Sequence, residues 1–405
     1  MSDNRLAGAD FVRALACLMV LGHHMAQRLD PNALGRAGAN TATVVTMGAF
    51  GVGAFFVLSG YLLARPFWLA LDAGQPMPSI RTYILRRAAR ILPGFYLALT
   101  VAFFLSFTIL QAKFDLSLVL RFLAGVFLVA DLHWSTWFPV EINAPLWSIG
   151  CEITSYVLLP IGLLAIFKLP MARGWLARLV WVGIIALVVG AQFLALRYLQ
   201  PDELRRSWNY GLVGGAKVWW PNYNPIGFFA IFAIGALAAG IQTRLPAARN
   251  LAFDLLALGG FALAIYGIAI HYPTAEGQGL GNIPYGYPWF PMGIGLVLIA
   301  VPNSGLLSRI TEIAPIRYIA RVSFGVYVWH YFLMETIRIL WQPRYVYFGM
   351  RDVVQWGWIS AIVLVLSFVI ATLSYRFLEE PIIRWARGLE RRPIPASPTL
   401  SPAAG

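Results

Sequence analysis

Arg13, His23 and His24 lie in FVRALACLMVLGHHMA, residues 11–26, a stretch that is otherwise apolar. Arg13 and His24 are eleven positions apart. On a helix turning about 100° per residue they fall roughly 20° from alignment, on one face and about 16 Å apart along the axis. His23 points about 100° away from that face. A guanidinium in a lipid-embedded helix costs roughly 2.5–3.5 kcal/mol on insertion scales. One reading is an arginine reaching to the interface and a histidine hydrogen-bonded between helices. The other is a wet cavity with a cationic anchor at one end and an acid/base group further in, a role that suits an imidazole titrating near neutrality.

Three further features bear on that choice. Glu152, in NAPLWSIGCEITSYVLLP, falls inside another apolar segment, about 10 Å deep against about 6 Å for His24, depths compatible with a contact. A carboxylate there could fix the imidazole tautomer and stabilise its charged form, or it could pair with an arginine and only hold helices together. His330, in VSFGVYVWH, is expected near mid-membrane, as an interhelical hydrogen-bonder or a second imidazole of the site. YILRRAARILPGFY places Arg86, Arg87 and Arg90 just before an apolar run, with Arg87 and Arg90 on one face. These arginines can anchor topology at lipid headgroups, or their planar forks can capture the phosphates of a soluble donor.

The elements that must position these residues are membrane spans. The 405-residue chain is 59% hydrophobic and 12% charged, with a mean hydropathy of +0.68. Those values exclude a sizeable soluble domain. The fold class expected is all-α, a polytopic transmembrane helical bundle of about ten spans. They fall near 9–27, 44–64, 91–111, 145–167, 177–197, 225–242, 250–270, 287–301, 321–341 and 355–378. Residues 116–130, LSLVLRFLAGVFLVA, are short and carry Arg121, and read as a re-entrant or surface-lying helix.

With both termini cytoplasmic, 20 of the 31 Lys and Arg fall on the inner side, although the 197–217 loop carries four on the other. The net charge of +13 therefore reads as topology, with no nucleic-acid partner. Cys17 and Cys151 fall in apolar segments, so no disulfide framework is indicated, though Cys151 beside Glu152 could be a nucleophile. Nothing at the N-terminus reads as a cleavable signal peptide. Residues 1–385 form one membrane domain, and 386–405, ending in PIPASPTLSPAAG, read as a disordered cytoplasmic tail.

Five stretches in order resemble the membrane-bound acyltransferase family 3, bacterial integral-membrane O-acyltransferases. They are Arg13 with His24; FGVGAFFVLSGYLLARPF at 50–67; RRAARILP at 86–93; LWSIGCEITSYVLLP at 146–160; and the endings VSFGVYVWH at 322–330 and LSYRFLEEP at 373–381. The resemblance runs from about residue 8 to 385. Gly53-Ala54 stand where an acidic residue is common in the family, His23 doubles the histidine, and the esterase-like domain fused to some members is not expected.

The resemblance implies an enzyme of the bacterial inner membrane. It would move an acyl group, acetyl first, from acyl-coenzyme A to a hydroxyl. His24 would be the general base, Glu152 would orient it or share its proton, and Arg13 would anchor the donor or neutralise developing charge. Arg86, Arg87 and Arg90 would hold coenzyme A phosphates. Ser59, Trp147, Ser148, Tyr327 and His330 are the remaining cavity candidates. No metal and no permanently bound cofactor are expected, since acetyl-CoA acts as a substrate. The acceptor expected is a polysaccharide or lipid-linked glycan, with a macrolide-like molecule second. Trp208, Tyr210, Trp219, Trp220, Tyr223, Tyr272, Tyr285, Tyr287 and Trp289, in the outer loops or just beyond, can stack on sugars or populate the membrane interface. The competing class is a secondary transporter or lipid-linked sugar carrier, against which no inverted repeat or broken helix is evident.

Overall fold

Helices α1 (Ala9–Ala26), α2 (Phe50–Asp72), α3 (Ile80–Thr108), α4 (Leu116–Val126) and α5 (Trp147–Lys168) supply most of the residues singled out above. They are followed by α6 (Gly174–Leu199), α7 (Gly211–Trp219), α8 (Pro225–Gln242), α9 (Leu251–Ala269) and α10 (Trp289–Ala300). The last long helices are α11 (Ala314–Leu340), α12 (Val353–Ser374) and α13 (Glu380–Glu390). This is a computed structural model, and it describes residues 7–35, 45–111, 114–169, 173–199, 211–246, 249–271 and 277–390. Among these there is no β-strand, only the isolated bridges Leu29–Met350 and Asn250–Ser304.

A helix lies at each of the ten expected places, and seven candidate spans are long and apolar enough to cross a bilayer by length and composition. The other three, α1, α10 and α11, are the helix with Asp10, Arg13 and two histidines, a twelve-residue helix, and one carrying three arginines and a glutamate. Helix α4 has eleven residues, about 16 Å, roughly half a hydrocarbon core. Asp115 caps it by accepting the Leu118 N–H at 2.8 Å. Arg121, which argued against a span there, is buried in an ion pair with Glu141 and donates from Nε to the Phe138 carbonyl at 2.7 Å.

Two boundaries move. Helix α3 begins eleven residues before the expected span, because Ser79 Oγ caps it at the Thr82 N–H and no residue between breaks it. Arg86, Arg87 and Arg90 are therefore in the body of the helix, not ahead of it. Helix α13 runs through the boundary expected at 385, and residues 391–405 lie outside the described residues.

The centre of the bundle is the pair α2–α8, the most buried of the apolar helices. Small residues let the backbones meet: a Cβ on Gly60 would lie 2.0 Å from the Phe232 carbonyl oxygen, and one on Gly235 1.8 Å from that of Val57. At one end of the bundle Arg178 forks onto Asp72 at 2.7 and 2.5 Å, donates to the Gly240 carbonyl at 3.0 Å and stacks over Trp68, tying α2, α6 and α8. At the other end Arg28 pairs with Glu335 at 2.7 Å and donates to the Tyr345 carbonyl at 3.2 Å, tying α1, α11 and the loop 341–352. Helix α1 packs on α11 through Cys17, Leu21 and Met25 against Val322, Val326 and Met334.

Candidate active site

A polar chamber of about 80 Å³ opens where α1, α2, α3, α5 and α11 face one another. Arg13 enters it from α1, Ser59 from α2, Arg87 and Arg90 from α3, Ser148, Glu152 and Tyr156 from α5, and Tyr327 from α11. Helical spacing sets this convergence: Arg87, Arg90 and Ile91 occupy one stripe of α3, as do Ser148, Glu152 and Tyr156 on α5.

Three guanidinium groups therefore surround a space with one carboxylate. Arg13 has its own partner, Asp10 at 3.5 Å. Arg87 leaves its buried Nε without a hydrogen-bond partner. Glu152 Oε1 accepts from Ser59 Oγ at 2.9 Å and from the Tyr156 hydroxyl one turn along the same helix. Tyr83 Oη donates to the Tyr156 carbonyl at 2.9 Å, holding α3 against α5. The Ser148 and Tyr327 hydroxyls are 2.6 Å apart at the far side of the chamber, and Tyr327 also donates to the Pro145 carbonyl at 3.1 Å.

His24 and His330 lie one helical turn beyond Tyr327. Nε2 of His330 is 3.0 Å from Nδ1 of His24, and the edge of the Tyr331 ring packs on His24 with centroids 5.1 Å apart. His330 is buried, whereas His24 keeps part of its surface exposed. His23 points elsewhere, donating from Nδ1 to the Thr46 carbonyl.

The expected site is thus drawn together only in part. Arg13, Ser59, Arg87, Arg90, Ser148, Glu152 and Tyr327 share one chamber. The expected His24–Glu152 contact is not made: Glu152 is held by Ser59 and Tyr156, and His24 faces His330. Trp147 does not line the chamber, because it packs into an aromatic core with Trp137, Tyr223 and Phe228. Arg86 points outward from α3, one position off the inward stripe.

Cys151 is fully buried, with its thiol against the Tyr223 carbonyl at 3.9 Å, and does not line the chamber. Trp220, Tyr223, Tyr285 and Tyr287 are buried, and Trp289 is 41% exposed; Trp208, Tyr210 and Tyr272 lie outside the described residues. Tyr156 was missed, although its spacing four after Glu152 is a readable signal. Glu379 was missed too: it is buried on the wide turn Tyr375–Glu379, bonded to Ser374 Oγ at 3.2 Å and within electrostatic reach of Arg90.

A second, larger cavity, of about 500 Å³, lies on the outer side of α3 and α5. Its lining is mostly aliphatic, and Arg87, Ile91 and Tyr156 border both cavities.

Apolar helices packed around a cationic chamber define a polytopic membrane protein with a polar interior site. Residues 6–376 match the family profile described as an acyltransferase domain, and the chain belongs to this acyltransferase family, the one its motifs resemble. It is 24% identical over 391 residues to peptidoglycan O-acetyltransferase OatA of Listeria monocytogenes, covering 92% of this chain and 55% of that protein. It is 23% identical over 398 residues to O-acetyltransferase OatA of Staphylococcus aureus, covering 94% and 58%. A third relative, acyltransferase MdmB of Streptomyces mycarofaciens, is 23% identical over 403 residues, covering 97% and 95%. The chain spans a little over half the length of the two OatA proteins. No solved structure matches it.

Proposed function

We propose that this protein is an integral-membrane O-acyltransferase that takes an acyl group, acetyl first, from acyl-coenzyme A and transfers it to a hydroxyl of a cell-surface or lipid-linked glycan. The observation that carries the reading is the alignment of a three-arginine chamber with an imidazole pair one turn beyond its far side. The arginines suit the phosphates of coenzyme A, and the bundle end nearest them faces the cytoplasm. The names of the OatA relatives supply the acetyl group, and one of them the glycan.

In this reading the donor's thioester lies past Tyr327, and the acceptor hydroxyl meets it beside His24. His24 takes the hydroxyl proton as the oxygen attacks the thioester carbonyl carbon. The tetrahedral intermediate collapses with loss of the C–S bond, and the protonated imidazole returns the proton to the departing thiolate. An ester and free coenzyme A result. Glu152, held by Ser59 and Tyr156, keeps the chamber from being wholly cationic and limits repulsion among Arg13, Arg87 and Arg90 when it is empty.

The test uses membranes containing the protein and labelled acetyl-coenzyme A. Wild type should release free coenzyme A and label a membrane product; a transporter would do neither. At equal expression His24→Ala should lower turnover by about 10²-fold or more, while His23→Ala should stay near wild type. Full activity in His24→Ala would refute the assignment.

A further inference from the structure

We propose that His330 is a positioning residue that holds His24 in the neutral tautomer able to act as a base. The inference rests on the reading of His24 as the proton acceptor and adds a second histidine to it. His330 is 1% exposed, and its Nδ1 lies 2.8 Å from the Tyr327 carbonyl oxygen and 3.0 Å from that of Val326. Carbonyl oxygens only accept, so this nitrogen carries hydrogen. In a neutral ring Nε2 is then a bare lone pair.

That lone pair faces His24 Nδ1 at 3.0 Å. Two bare nitrogens at this distance would repel, so the hydrogen between them belongs to His24 Nδ1. The remaining nitrogen of His24, Nε2, is consequently unprotonated. The opposite arrangement needs a doubly protonated His330 donating to His24. It would bury a cation with Arg28 nearby and, among the described residues, no carboxylate hydrogen-bonded to either ring. The neutral chain from His24 Nδ1–H through His330 Nε2 and Nδ1–H to two backbone carbonyls satisfies every partner.

This assigns His330 the job first expected of Glu152. When His24 gains a proton at Nε2, its Nδ1–H keeps an acceptor already in place. The last partners are carbonyls of α11, which cannot rotate away or change protonation. Without His330, the carbonyl of Val20, one turn back on α1, is the one partner left to that hydrogen, and it is held off Nε2 less firmly.

The experiment compares His330→Phe, His330→Gln and His24→Ala in membranes supplied with labelled acetyl-coenzyme A, reading kcat and donor KM. Phe keeps an aromatic volume but offers no acceptor, whereas the Gln side-chain oxygen can accept the Nδ1–H. His330→Phe should lose about 10- to 100-fold in kcat, the size typical of removing an imidazole's outer partner, with KM unchanged. His330→Gln should recover most of that loss. Wild-type kcat in His330→Phe, or Gln no better than Phe at matched folded amounts, overturns the inference while His24→Ala stays inactive. An active His24→Ala would instead remove the base assignment and this inference with it.

Discussion

At the residue scale the chamber divides its arginines by position. Arg87 and Arg90 share the inward face of α3, and Arg86 does not. If the inward pair binds donor phosphates, Arg90→Ala should raise the donor KM by about tenfold, the loss of one charge-assisted contact of roughly 1.5 kcal/mol. Arg86→Ala should leave KM near wild type. Initial rates against acetyl-coenzyme A concentration check both, and equal KM values for all three proteins would return the arginines to a topological role. Much of this was legible in the sequence. The Arg13–His24 stripe follows from helix period alone, and both residues face the interior side of α1. The His24–Glu152 pairing failed because matching depths fixes only the coordinate along the membrane normal. Which helix stands beside α1 is a packing fact: α11 does, and its His330 meets His24. No periodicity in either segment encodes that neighbour.

At the element scale the α2–α8 crossing holds the bundle together and carries Ser59 into the chamber. Gly235 has a carbonyl oxygen where its Cβ would go, and that atom belongs to the backbone of α2. Gly235→Val must push the helices apart and should cost about 1–3 kcal/mol or more. The expected result is a lower thermal midpoint in detergent, while Gly183→Val, on the open face of α6, should match wild type. Equal midpoints would show that the crossing tolerates separation. This contact was only partly readable. Glycine and alanine are frequent in α8 and recur in α2, but small residues do not name their partner helix. The start of α3 was misplaced for a related reason. Its first turns carry basic residues, which read as loop, yet Ser79 caps them and a guanidinium facing a polar chamber need not leave the helix.

At the scale of the whole molecule, charge and architecture make a joint statement about sides. The excess of Lys and Arg gathers at the bundle end where α3 begins, whereas His133 lies between α4 and α5 at the other. Both native cysteines are buried and free, so single reporters can be placed cleanly. With the basic end inward, His133→Cys should react with a membrane-impermeant thiol reagent on intact cells, and Gln75→Cys only after the membrane is opened. The reverse pattern would invert the orientation and the side from which a phosphorylated donor arrives.

The two cavities along α3 share three lining residues. Arg87, Ile91 and Tyr156 stand between an ion-friendly interior and a greasy cleft on the outer flank of the bundle. A guanidinium in that position works as a cork as well as a charge, because a lipid tail cannot replace it without stranding Tyr156 and Glu152 in oil. Removing it breaches the bulkhead and subtracts the cation together, so Arg87 and Arg90 are unequal members of the same stripe.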